Sequence, residues 1–387
     1  MISVLWPIVS AAVVAANQAV PGKLVERVPC PTDPTQTYSI YLPSTYQPTR
    51  QWPLLMVFDP GGRGARAAGV FQEAAERYGW IVAASDNSRN GPWEPTLRAV
   101  NAMWPALLGG YAVDERRVYT AGHSGGATVA WMVAQQTGQI AGVIGSGQPD
   151  PGLESGKNRS FAWFGTAGRA DFNFIEVKAI DARLAKAHIP HRMEIFDGRH
   201  EWPPADLAVR ALGWFELLAM RDGRQPRDAA RAAEVLEADM ARARTAEQSG
   251  RLTEARQSYE AIADAYAGVL DVTDADRRRK AIESDPRYKA MRKMEDRIDS
   301  RERNQARAVA RMFSTLAADG APVLQSLRAE LNTDTLAKAA RGDSYEAASA
   351  RRSLALIRAQ LSSLIRELKQ AGDARASLLE RLLESLP

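Results

Sequence analysis

From Thr37 to Met220 the chain alternates short apolar runs with longer amphipathic stretches. Pro53–Phe58, Gly79–Ser85, Val118–Ala121, Ile140–Ser146 and Ser160–Thr166 are nearly continuous in apolar or small residues. Runs of that length suit strands covered on both faces. Thr37–Leu42 and Arg192–Phe196 alternate instead, as strands with one exposed face do. Ala65–Tyr78, Thr96–Gly109, Phe172–Ala187 and Leu207–Met220 carry helical spacing, and a helix-forming segment follows Gly126. Regular alternation of this kind predicts an α/β fold, a mostly parallel central sheet with helices on both faces.

The pattern changes at Arg221-Asp222-Gly223-Arg224-Gln225-Pro226. Beyond it alanine, arginine, glutamate and leucine dominate, the composition of helices. Leu252, Ala255, Tyr259, Ile262 and Tyr266 form one stripe at helical spacing, and Leu354, Ile357, Leu361, Leu364 and Leu368 another. The expected division is therefore an α/β domain over 20–222 and an all-α helical domain over 227–387. Gly250 to Ala255 with Tyr259 resembles the middle of a tetratricopeptide repeat, and Gly342 with Glu346 and Ala347 is a fainter echo. Since one repeat cannot bury its own apolar face, a repeat-like domain and a plain helical bundle both fit. Either would serve a protein partner or self-association.

Chemistry concentrates at Val118-Tyr119-Thr120-Ala121-Gly122-His123-Ser124-Gly125-Gly126-Ala127. An apolar strand runs into Gly-x-Ser-x-Gly and then into a helix, the context of a nucleophile elbow. Such a turn raises the serine hydroxyl above the sheet, and Gly122 and Gly126 stand where a side chain would collide with its neighbours. A serine hydroxyl also needs a base, and the base needs an orienting group. Of the four histidines, His123 adjoins the serine and should point away from it, while His188 and His191 flank Pro190 in a polar connection. His200 lies on a glycine-containing loop after the last strand and is the expected base. Asp171 is the only carboxylate in the loop Ala167–Phe174 and is the expected acid; its alternative role is as a helix N-cap. One oxyanion donor is expected at the N–H of Gly125, the other at Gly61 or Gly62 in the loop after Phe58. No Lys-Ser/Thr pair follows those glycines, so a phosphate cradle is a poor reading.

Residues from about 35 to 220 resemble α/β-hydrolases of the dienelactone hydrolase, polyhydroxybutyrate depolymerase and feruloyl esterase type. The resemblance rests on Phe58-Asp59-Pro60-Gly61-Gly62, Gly122-His123-Ser124-Gly125-Gly126, Gly165-Thr166 leading to Asp171, and Asp197-Gly198-Arg199-His200. Many members carry a histidine before the oxyanion glycines, where this chain has Asp59 and Pro60. The resemblance implies the α/β-hydrolase fold and hydrolysis of carboxylic esters, small or polymer-derived, with no cofactor or metal. A serine peptidase of the same fold is the enzymatic alternative, and a non-catalytic hydrolase-like binding protein the alternative from another class. Short connections between Ser124, Asp171 and His200 leave no room for a large lid. Trp93, Phe172 and Trp202 stand near loops on the catalytic side, where they line a substrate pocket or pack the loops.

Ile2 to Ala16 is apolar, uncharged and ends in small residues. It is short for a membrane span and suits a secretory signal over 1–19, cleaved near Ala16 or Ala19, although no Lys or Arg precedes it. An uncleaved anchor or a buried N-terminal segment is the alternative. The expectation is an exported protein, periplasmic or secreted, with no membrane span once the signal is removed. Pro29 before Cys30 disfavours a lipoprotein signal, and one cysteine allows no internal disulfide. A net charge of +4 over 387 residues implies no particular partner. Arg277–Lys280 reads as a solvated face; acidic flanks and no aromatic platform argue against nucleic acid.

Overall fold

A computed structural model describes residues 19–149, 151, 161–319 and 324–386. The apolar segment Ile2–Ala16, read above as an export signal, lies outside the described residues. Among those described, no helix is long and apolar enough to cross a membrane.

The strands are β1 (Leu24–Cys30), β2 (Asp33–Tyr41), β3 (Trp52–Phe58), β4 (Ile81–Ser85), β5 (Val113–His123), β6 (Gly142–Ser146), β7 (Ala162–Gly168) and β8 (His191–Phe196). Their order is β1-β2-β4-β3-β5-β6-β7-β8. β2 pairs antiparallel with β1 and with β4, whereas β3 is parallel to β4 and β5, and β7 is parallel to β8. With its intervening helices this is the α/β-hydrolase fold, followed by a large helical part.

Every residue of β3, β4 and β7 is buried, which is why each reads as an unbroken apolar run. β1 leaves no such trace. Its Glu26-Arg27 pair sits in a register shift, with Arg27 at φ 55°, so apolar and polar positions do not alternate.

The chain forms two compact units. One comprises the residues through Val143 together with Ala205–Gly213; the other comprises Ile144–Pro204 and the chain from Trp214 onward. In the first, α1 (Gly64–Tyr78) packs on β4, α2 (Trp93–Gly110) on β2, and α3 (Gly125–Thr137) on β5. α2 begins three residues before the expected Thr96. Pro95 falls within its first turn, where the missing N–H has no intrahelical partner to lose.

In the second unit α4 (Phe174–Lys186) covers β7 and β8. After α5 (Ala205–Arg221) the connection is pinned: Gln225 Nε2 donates to Glu216 O at 2.8 Å and to its carboxylate at 3.0 Å. Then follow α6 (Ala229–Gln248), α7 (Leu252–Tyr266), α8 (Thr273–Ser284), α9 (Pro286–Asp319), α10 (Leu324–Leu331), α11 (Thr333–Ala339), α12 (Tyr345–Gln370) and α13 (Arg375–Ser385). Both apolar stripes read from the sequence are buried, on α7 and on α12. α6 and α7 form a hairpin turned at Gly250, whose φ is 75°. Helix lengths of 15 residues in α7, 34 in α9 and 26 in α12 do not recur at a fixed period.

Polar side chains tie these helices to the strands of the same unit. Arg192 of β8, fully enclosed, donates to both oxygens of Asp239 on α6 at 2.9 Å. Lys178 of α4 donates to Asp299 of α9 at 2.6 Å and to the Tyr345 hydroxyl of α12 at 2.9 Å. Buried charges are tolerated when they are paired and hydrogen-bonded, as here.

Candidate active site

In the first unit β5 ends at His123, α3 starts at Gly125, and Ser124 forms the turn between them with φ 54° and ψ −125°. A non-glycine residue in that region is strained by roughly 1–3 kcal/mol and persists only where its surroundings enforce it. The surroundings are tight. A Cβ on Gly122 would lie 2.1 Å from Gly126 O, and one on Gly126 would lie 2.0 Å from Phe58 O. No side chain fits at either position, so the spacing of the motif follows from close backbone approach. Ser124 O accepts from Ala127 N at 2.9 Å and opens the helix. Gly125 N–H therefore belongs to the first turn of α3, where N–H groups lack intrahelical acceptors and the helix dipole favours negative charge.

The loop after β3 is organised around Asp59, which is fully buried. Its Oδ1 accepts from Gly61 N at 2.8 Å and from Arg63 Nε at 2.9 Å, and its main-chain oxygen accepts from Gly62 N at 3.2 Å. The N–H groups of Gly61 and Gly62, one of which is the expected second oxyanion donor, thus both have acceptors within their own loop. Only the Gly61 bond depends on the carboxylate at 59; the Gly62 bond is made to the main chain. Gly62 has φ 67°, and a Cβ there would lie 2.8 Å from Asp86 O.

Asn90, which sequence reasoning passed over, stands at this site. Its main-chain N–H donates to Pro60 O at 2.8 Å, and a Cβ on Gly125 would fall 1.9 Å from its Oδ1. The side-chain amide therefore leans over the start of α3. Its approach to Gly125 joins positions 35 residues apart in the chain and leaves no local signal. Trp93 is the first residue of α2 and is 49% exposed. His123 is buried.

In the second unit Asp171 and His200 come together. His200 Nδ1 lies 2.8 Å from Asp171 Oδ1, which also accepts from Asn173 N at 2.8 Å. The carboxylate is completely buried, while the imidazole keeps 18% of its surface. A carboxylate at Nδ1 selects the tautomer with its proton there, which makes Nε2 the basic nitrogen of the ring. Asp171 also serves the N-terminus of α4: its main-chain oxygen accepts from Phe174 N at 3.0 Å, with Asn173 at the cap position. The cap itself is Asn173, so Asp171 is not the N-cap of the alternative reading but supports the turn just before it.

Two neighbours shape the pair. The Phe172 ring lies 4.0 Å from the His200 ring, centroid to centroid, tilted by 35°. Gly147, which follows β6 and has φ 51°, passes so close that a Cβ would lie 2.6 Å from Asp171 Oδ2 and 3.0 Å from His200 Nδ1. Asn173 Nδ2 donates to Gly147 O at 2.8 Å and holds that backbone in place. Trp202 is buried, which favours its reading as loop packing. His191 Nδ1 bonds Ile189 O at 2.8 Å, and His188 sits at φ 53° in the turn before β8.

No family model and no curated protein sequence matches this chain. Among solved structures it is similar to an esterase from Pyrobaculum calidifontis, with 11% identity and a TM-score of 0.42 over 52% of this chain and 87% of that one. It is also similar to fluorophosphonate-binding serine hydrolase F of Staphylococcus aureus, with 15% identity, a TM-score of 0.43, and 51% and 99% of the two chains covered. Esterase B from Lactobacillus rhamnosis gives 15% identity and a TM-score of 0.44, with 54% and 90% covered. At these values the likeness assigns no activity to this chain.

Proposed function

We propose that this chain is a serine hydrolase that cleaves carboxylic esters through an acyl-enzyme. The observation that carries the reading is the backbone of Ser124, held at φ 54° between two glycines that admit no Cβ. Strain of that kind serves no packing purpose and is what presenting a nucleophile requires. In the proposed reaction Ser124 Oγ attacks the ester carbonyl and its proton passes to Nε2 of His200. Asp171 holds the imidazole in the required tautomer and stabilises the imidazolium. Gly125 N–H, at the positive end of α3, binds the developing oxyanion. The second donor is a main-chain N–H at Gly61 or Gly62, which must exchange its acceptor in Asp59 for the substrate oxygen. His200 then protonates the departing alcohol, and water releases the acyl group by the same route.

One observation favours a second reading. Because Asp59 already engages the glycine N–H groups, a non-catalytic binding protein would tolerate this loop without rearrangement. A fluorophosphonate probe separates the two. The hydrolase reading expects labelling of the full chain, loss of labelling in Ser124→Ala, and turnover of aryl esters by the wild type alone. A folded wild-type protein that neither labels nor turns over would leave the binding reading.

A further inference from the structure

We propose that the helical part of the chain is a positioning element for the acid and the base, and that it acts through Arg169. The inference rests on the hydrolase reading of Asp171 and His200. Arg169 lies between β7 and Asp171, and nearly every polar group it carries is engaged. Its N–H donates to Phe196 O at 2.8 Å, and the next N–H, of Ala170, donates to Gly198 O at 2.9 Å. Those two bonds lace the acid loop to the loop that carries His200. Contact is close enough that a Cβ on Gly168 would lie 2.4 Å from Arg199 O. Wherever the backbone at Arg169 is placed, the His200 loop follows.

Two helices fix that placement. From α12, Arg352 donates NH1 to Arg169 O at 3.0 Å, while its Nε and NH2 pair with Glu302 of α9 at 2.8 and 2.6 Å. Arg352 is 1% exposed and its guanidinium lies 4.3 Å from the Phe174 ring centre, so this donor has no water to turn to. From α7, Glu254 pairs with Arg169 NH2 at 2.7 Å. The remaining pair, Arg169 with Asp197 at 2.8 Å, involves a carboxylate 92% exposed and adds little. The grip on the acid loop is thus supplied mainly from α7 and α12, two helices after Gln225. Burying a guanidinium is unfavourable unless each donor is satisfied, and a solvated face elsewhere on α12 would have avoided the requirement. Its use here, two residues before Asp171, points to placement of that carboxylate.

The test uses the full chain in two forms. Arg169→Met removes the pair to α7. Arg352→Met with Glu302→Leu replaces the buried ion pair by apolar side chains, a change that usually preserves folding, and deletes the bond to Arg169 O. Both are confirmed as folded by circular dichroism and assayed on an aryl ester, alone and combined with Asp171→Ala. Each should lower kcat by about tenfold to a hundredfold with KM changed less than about threefold, as expected of a misplaced base. With Asp171→Ala already present, the same changes should lower kcat by less than about twofold, because without that carboxylate the imidazole is no longer held in its reacting orientation, wherever its loop lies. Wild-type kcat in both forms would overturn the proposal. So would an equal loss with and without Asp171, which would mark general loosening of the fold. If Ser124→Ala is as active as the wild type, the hydrolase reading itself fails. If Ser124→Ala is inactive while both forms keep the wild-type rate, only the positioning role fails.

Discussion

One methyl group at position 147 would intrude on the Asp171–His200 pair from the backbone side. Gly147 is held at φ 51°, a conformation that costs other residues roughly 1–2 kcal/mol. Its missing side chain would also meet Asp171 Oδ2 at 2.6 Å. Gly147→Ala should therefore lower ester turnover by about tenfold or more and destabilise the protein by about 1–3 kcal/mol. Paired kinetics and urea unfolding would check this; wild-type values in both would mean that the pair is less confined than described. At this scale the sequence was legible where chemistry repeats a local pattern. Gly122, Ser124 and Gly126 declare themselves as one five-residue motif, whose spacing is a signal whatever part of the chain packs against it. Asn90 and Gly147 belong to no such motif, and what passes beside them comes from other parts of the chain.

Among the elements, α7 and α12 were readable from apolar stripes, and β3 and β7 from unbroken apolar runs. β1 was not, because its register shift removes the alternation that marks a strand. The charges that join α4, β8 and α7 were equally hidden. Asp181 of α4 lies 3.8 Å from the His191 ring of β8, near Lys178 on its own helix and Glu260 and Arg256 of α7. Burial is the main cause that raises its carboxyl to about 6, and the His191 charge works against that rise. A carboxyl that keeps its proton longer when folded makes stability fall as pH rises from the unfolded value, near 4, to the folded one. Wild type should therefore lose stability relative to Asp181→Asn between about pH 4 and about pH 6, with no further divergence above. Urea midpoints of the two proteins across that range provide the measurement, and parallel curves would refute the assignment.

At the scale of the whole molecule, the helical part is bound into the second unit by enclosed charges. Arg192 is paired with Asp239 and Lys178 with Asp299, while Arg352, itself paired with Glu302, donates to Arg169 O. Removing α6 to α13 would take from Lys178 and Arg192 the partners Asp299 and Asp239 and open to water the surface of α4 and β8 that those helices cover. A chain ended at Gln225 should accordingly lose its cooperative unfolding transition or aggregate, with the loss visible by circular dichroism and sedimentation. A monomeric, cooperatively folding and active truncated form would show that the helices are an accessory. The composition shift near Arg221 made two kinds of architecture legible, but not their mutual dependence. Salt bridges between segments far apart in sequence leave no periodic signal.

By itself the sequence determined the alternation of strands and helices from β2 onward and the glycine-framed turn at Ser124, and it narrowed the partners to propose for that serine to Asp171 and His200. Those follow from local sterics and from the scarcity of histidine and carboxylate in the relevant loops. Tertiary structure alone decided that Asp59 takes up the N–H groups of Gly61 and Gly62, that Gly147 confines the acid–base pair, and that α7 and α12 reach Arg169. Each of these depends on which backbone passes within a few ångströms of another, and that distance is set by packing rather than by neighbours along the chain.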